Sequence, residues 1–171
     1  MKRAETFSRF LEHFSEEKLP VTLSDDNVIY FSSQNKPLPQ GLIKKFILQG
    51  ENESEEGDLT EYIPCTKVPD TGEIHAVVYW KGGLLSYDFI LATFNKNGVL
   101  IDKKSIAGIR SENGLVKKSV ATIDEDWLIT IVIGHQKEDE RMYDPTSSKS
   151  INLELMPEGE IIFSLQEEVG Q

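Results

Sequence analysis

Seven residues carry the chemistry this chain offers as candidates: Lys81, Arg110, Glu112, His135, Arg141, Tyr143 and Asp144. Gathered at one place, such cations, carboxylates, phenol and imidazole would bind polar groups on a partner or ligand. An imidazole steadied by a carboxylate would also serve as a general base. His135 is the best placed of the three histidines, because it follows an apolar strand into a long connection. A His135–Asp144 pairing there would hold the ring in one tautomer. His13 and His75 are far away in sequence, and none of the three belongs to a metal-ligand pair such as H-E-x-x-H.

Other chemistries lack their residues. There is no G-x-S-x-G elbow, and T-S-S-K at Thr146 to Lys149 starts with threonine where the S-x-x-K pattern needs serine. Cys65, the only cysteine, sits beside Pro64 in a strand-like stretch and reads as a small buried residue rather than a thiolate. It excludes an intramolecular disulfide and a cysteine metal cluster. Gly82-Gly83 and Gly108 lack the strand-to-helix context of a phosphate loop. The run E-N-E-S-E-E-G-D at 51–58 lacks the alternation of a calcium loop and reads as a solvated connection. No metal and no cofactor are expected.

The composition sets the frame for these residues. The chain has 171 residues, of which 39% are hydrophobic and 27% charged, as expected of one globular domain. Its net charge of −11 repels phosphate backbones, so neither nucleic acid nor an anionic membrane is expected as a partner, whereas a basic protein is compatible. Glu5, Arg9 and Glu12 interrupt any signal-peptide core, and no apolar run is long enough for a spanning helix. A cytoplasmic protein is the expectation.

The elements that must position the seven residues are mostly strands. Phe7, Phe10, Leu11 and Phe14 form one helical stripe, with Thr6 as N-cap and Pro20 closing the segment. Residues 28–32 predict a short strand. Pro39 to Gly50 predicts a second helix, with Leu42 paired to Phe46 and Ile43 to Ile47. From Leu59 the pattern becomes β: Leu59 to Val68 on an edge because of Pro64, Ile74 to Trp80, and a hairpin around Asn95-Lys96-Asn97-Gly98. Leu115 to Asp124, Trp127 to Gly134, Ser150 to Met156 and Glu160 to Leu165 follow. Phe89 to Phe94 and Trp127 to Ile133 are apolar on both parities, which predicts strands covered on both faces. The hairpin register has two options: a two-residue loop pairing Phe94 with Ile101, or a four-residue turn with a bulge pairing Phe94 with Leu100.

The fold class that follows is mainly β (α+β): an antiparallel up-and-down meander forming a strongly curved sheet or incomplete barrel, with two helices near the N-terminus packed on it. Residues 1–171 read as a single domain, with 1–50 helical plus a short strand, 51–58 an acidic loop and 59–171 the meander. In such a meander the tight connections Asn95 to Gly98, Asp124 to Asp126 and Pro157 to Gly159 lie at one end. The connections Lys81 to Gly83, Gly108 to Gly114 and Gly134 to Lys149 lie at the other, which brings the seven candidates to one rim. The expectation is a non-enzymatic module binding a protein or small molecule through that rim. The alternatives are an acidic inhibitor or immunity-type protein for a basic enzyme, a hydrolase or lyase using His135 with a rim carboxylate, and a structural or assembly protein pairing through sheet edges.

Overall fold

Alternate residues of two adjacent strands point into two different cores, and the rest of the chain is arranged to cover both. The computed structural model describes residues 3–51, 60–137 and 148–164, without the side chains of Glu112, Gln136 and Lys137. Its elements are α1 (Arg3–Leu11), β1 (Ser15–Glu16), β2 (Val21–Leu23), α2 (Asp25–Gln34) and α3 (Gln40–Leu42), which runs into a π-helical turn, Ile43–Ile47. The remaining strands are β3 (Glu61–Val68), β4 (His75–Gly82), β5 (Ser86–Phe94), β6 (Leu100–Glu112), β7 (Leu115–Ile123), β8 (Leu128–Lys137), β9 (Lys149–Leu155) and β10 (Ile161–Phe163).

These strands form one open, mainly antiparallel sheet in the order β1-β3-β4-β5-β6-β7-β8-β9-β10, with β2 paired to β7. From β3 onward every strand pairs with its successor in sequence, so the meander is unbroken. On β4, Ala76 and Val78 enter one core while Val77 and Tyr79 enter the other. On β5, Phe89 and Leu91 are parted in the same way from Ala92 and Phe94. The first core is completed by Phe31 of α2, Leu23 of β2 and the apolar residues of β6 to β10. The second is roofed by Phe7 and Phe10 of α1 and by Ile43, Phe46 and Ile47. Both-face coverage thus holds for Phe89 to Phe94. It fails for Trp127 to Ile133, because Val132 is 44% exposed while Ile129, Ile131 and Ile133 are buried.

The predicted strand at 28–32 is helix α2. Valine, isoleucine and the aromatics there favour strand locally, but Ser24 starts a helix: its backbone N–H and its hydroxyl each donate to Asn27 Oδ1 at 3.0 Å. Asp25 and Asp26 follow in the first turn, where carboxylates favour the helix dipole. Asn35 closes the helix and donates to the carbonyls of Pro64 and Cys65, both at 2.8 Å, so β3 holds the helix in place. At the other end the Tyr87 hydroxyl donates to Asp25, which also pairs with Lys118 at 3.1 Å. Thr6 lies inside α1 rather than capping it, and the helix ends at Leu11 well before Pro20. Pro39, not a first-turn residue, is the N-cap of α3.

The central hairpin adopts the second register: Phe94 faces Leu100, with an irregularity between Thr93 and Phe94. Gly98 alone in its turn takes a positive φ, 82°, and a Cβ there would lie 2.7 Å from Phe46 and 2.8 Å from Phe7. The turn therefore touches the roof of the second core, and Arg3 donates to the carbonyls of Asn97 and Gly98 at 3.0 and 3.1 Å. The segment Gly108 to Gly114 is not a loop. β6 continues through it to Glu112, and Asn113-Gly114, both at positive φ, make the reversal. Gly108 fits inside the strand because a Cβ there would sit 2.1 Å from the Tyr87 carbonyl.

Two predictions follow from this packing. Gly98→Ala combines left-handed strain with overpacking and is expected to lower unfolding free energy by about 2–4 kcal/mol in denaturant titration. The second concerns His75, whose ring meets Phe7 edge-on at 5.5 Å between centroids. Burial first, then the charges of Lys67 and Lys96, hold its pKa below the ordinary value. The unfolded chain therefore takes the proton first, so this contribution to stability is complete above about pH 6.5 and declines as pH falls through the lower folded pKa. In His75→Gln the acid side of the stability profile should be shallower than in the parent; an unchanged slope would refute the assignment.

Candidate functional site

Where β7 leaves β6, the sheet opens into a cleft. β6 pairs with β5 from Leu100 to Arg110 but with β7 only from Gly108 to Glu112. Beyond that point β7 turns its Ala121–Ile123 edge to β2. The strand ending the meander, β10, lies back against the start of β6, where Ile161 N–H donates to Asp102 Oδ2 at 2.9 Å and Thr93 Oγ1 donates to the Gly159 carbonyl at 2.6 Å. The resulting cleft of about 310 Å³ lies at the lower end of the range for ligand pockets.

Its floor is apolar: Ile131 and Ile133 from β8, Ile151 and Leu153 from β9, and Phe163 from β10. Phe163 is 64% exposed. Around that floor stand Lys104, Arg110 and Lys117 with one carboxylate, Asp88. Asp88 accepts from Ser105 Oγ at 2.8 Å, and its two oxygens lie 3.4 Å from the Arg110 guanidinium. Long N–O separations leave that ion pair weak, and Arg110 remains largely exposed. The local balance is cationic in a chain whose total is −11.

The predicted site residues fall into three groups. Arg110 and His135 come together: Arg110 faces Lys117 across β6 and β7, and Lys117 faces His135 across β7 and β8. Lys81 is in strand β4 rather than in a turn; it faces Asp88 and borders a neighbouring cleft of about 200 Å³ with Tyr62 and Lys103. Lys104 and Ser105 line both clefts. Glu112 ends β6 opposite Leu115, and its side chain is outside the described structure. Arg141, Tyr143 and Asp144 lie outside the described residues, as do Leu165 and nearly all of the acidic run at 51–58.

Asp88, Lys104, Ser105, Lys117 and Ser119 escaped the sequence reading. A signal for them exists. Lys-Lys-Ser occurs twice, at 103–105 and 117–119, each time within a strand and followed by an apolar residue. The register places parts of both triplets around one cleft.

Several other features narrow the chemistry. Among the described residues no group of three or more His, Cys, Asp or Glu is placed to hold a metal ion. Cys65 is buried, and burial pushes its thiol far up from the ordinary value, so the thiolate is not accessible at neutral pH. A larger depression of about 640 Å³ lies near Trp127, but it is bordered by Glu16 of β1 and mainly by loop residues including Glu17, Asp70 and Glu125, and lacks a comparable apolar floor. No helix among the described residues is long and apolar enough to cross a membrane. Comparison with protein-family models, curated proteins and solved structures gave no match.

The two carboxylates near the cleft should separate structure from site. Asp102→Ala removes the acceptor of the Ile161 and Lys103 N–H groups and is expected to cost roughly 2 kcal/mol, with faster hydrogen exchange at Ile161. Asp88→Ala loses a long ion pair to an exposed guanidinium and a serine contact, and should change unfolding free energy by no more than about 1 kcal/mol.

Proposed function

We propose that this chain is a binding module whose site is the cleft between β6 and β8–β10, taking a partner group with an apolar body and a negative charge. The observation that supports this reading is the combination of an isoleucine-, leucine- and phenylalanine-lined floor with Lys104, Arg110 and Lys117 in an acidic protein. Cations that served only solubility would not need to surround buried aliphatic side chains. Exposed lysines at a sheet edge also discourage aggregation, but that role does not require an apolar floor beneath them.

The neighbouring turn adds support. Tight turns are usually tipped by polar residues or glycine, yet the β4–β5 connection exposes Leu84 by 82% and Leu85 by 80%. It adjoins Ser86, which faces Arg110. A partner seated in the cleft would reach these leucines next. The reading retains part of the expected rim, through Arg110 and the neighbourhood of His135, and extends it along the sheet toward Phe163.

Anilinonaphthalene sulfonate is a suitable probe because it joins an apolar ring system to a fixed negative charge. The folded protein should bind it at one site, and Arg110→Ala and Lys117→Ala should each weaken binding about tenfold, corresponding to the loss of one charge-assisted contact. Absence of binding, or binding insensitive to both substitutions, would refute the proposed site.

A further inference from the structure

We infer that the ligand of this cleft is a free, unbranched aliphatic carboxylate, its head held at Arg110 and Lys117 and its chain lying along β8 and β9 toward Phe163; this rests on the cleft being the binding site. Residues opposed across an antiparallel pair share a face of the sheet. Followed from β6 to β10, the register sorts the face beneath the cleft into rows. Arg110, Lys117 and His135 form the first, and Ser119, Ile133 and Lys149 belong to the second. Ile131 and Ile151 lie in the third, Leu153 and Phe163 in the fourth. Polarity therefore changes along the strands, with charge at one end and apolar side chains at the other, all on one face. An amphiphile with one charged end and one continuous apolar tail matches this order.

The head end calls for an anion. Among the described residues, Lys104, Lys117 and Ser119 have no side-chain hydrogen bond or ion pair, and Arg110 has its long contact with Asp88. The group that Arg110 faces is thus itself a carboxylate, at a separation too long for a strong pair. A ligand carboxylate entering from the open side of the cleft can make a closer, two-oxygen contact with the guanidinium. Lys117, opposite Arg110 on the next strand, adds its charge to the same place.

The tail end sets the chain and its size. Ile131, Ile133 and Leu153 are buried, Ile151 is partly buried, and Phe163 stands exposed at the far side. Branched aliphatic side chains offer no hydrogen bond and no ring to stack on, which favours a saturated chain over a nucleotide base. Four residues of β8 separate the row of Lys117 from that of Ile131 and Ile151, about 13 Å along the strand. A volume of about 310 Å³ admits one chain of medium length and excludes a paired-chain lipid.

The experiment is titration calorimetry of the full chain with alkanoates from hexanoate to decanoate, each below its micelle-forming concentration. Decanoate is expected to bind at one site and to displace anilinonaphthalene sulfonate. Affinity should rise about threefold per added methylene. Arg110→Ala and Lys117→Ala should weaken every length by the same factor, whereas Phe163→Ser should weaken decanoate more than hexanoate. Asp88→Asn relieves Arg110 of a competing carboxylate and should tighten all lengths. Decanol, which lacks the charge, should bind at least about tenfold more weakly than decanoate. Decyl sulfate, with its tetrahedral head, should also bind more weakly.

Equal binding of decanol would overturn the anionic head, and tighter binding of decyl sulfate would overturn the carboxylate. A uniform effect of Phe163→Ser across chain lengths would overturn the orientation. Decanoate bound without displacing anilinonaphthalene sulfonate would lie elsewhere and overturn the inference. If anilinonaphthalene sulfonate binds and decanoate does not, the inference fails alone. If neither binds, the site itself is refuted.

Discussion

A strand buried on both faces is the constraint on which this structure depends. β5 sends Phe89 and Leu91 into one core and Ala92 and Phe94 into the other. Neither face tolerates polar side chains without partners, so each must be covered by a separate layer. The roof of α1 and the π-helical turn covers one face, and the curling of β6 to β10 with α2 covers the other. Thr93, the buried polar residue in this strand, hydrogen-bonds to the Gly159 carbonyl and so links the centre of the sheet to its last turn. Covering both faces of one hairpin thereby also brings β10 back toward β6 and creates the cleft.

The meander was legible because its signals are local. Apolar alternation, Asn-Lys-Asn-Gly and Met-Pro-Glu-Gly depend on neighbours within a few residues. The register of the central hairpin was not settled by them, since the choice depends on Gly98 fitting against Phe7 and Phe46. Helix α2 was misread for a similar reason: its β-branched and aromatic composition is outweighed by Ser24 and Asn27 at its start and by Asn35 anchoring it to β3. Wet and dry faces were also hard to assign at β8, where Val132 is no less apolar than Ile131 but has no layer over it.

The site was less legible than the fold. Sequence reasoning gathered candidates by the end of the meander they share, and the register puts Arg110 and His135 on either side of Lys117. That reasoning could not show that Lys104, Lys117 and Asp88 stand beside Arg110, because that depends on cross-strand register and on the irregularity between Phe89 and Ile90. Net charge misleads in the same way. A sum of −11 over the chain says nothing about a place where three cations meet one carboxylate.

The contact between Arg3 and the hairpin turn has a consequence for the order in which the molecule assembles. Arg3 and the carbonyl of Asn97 are separated by 94 positions. During synthesis from the amino end, α1 leaves the ribosome long before the strand it roofs. Phe7, Phe10 and Phe14 must then remain in water, or in the hands of a chaperone, until β5 and β6 have emerged and turned. A segment made before the strands it covers is among the last that can be buried, and the nascent protein carries these phenylalanines uncovered through that interval.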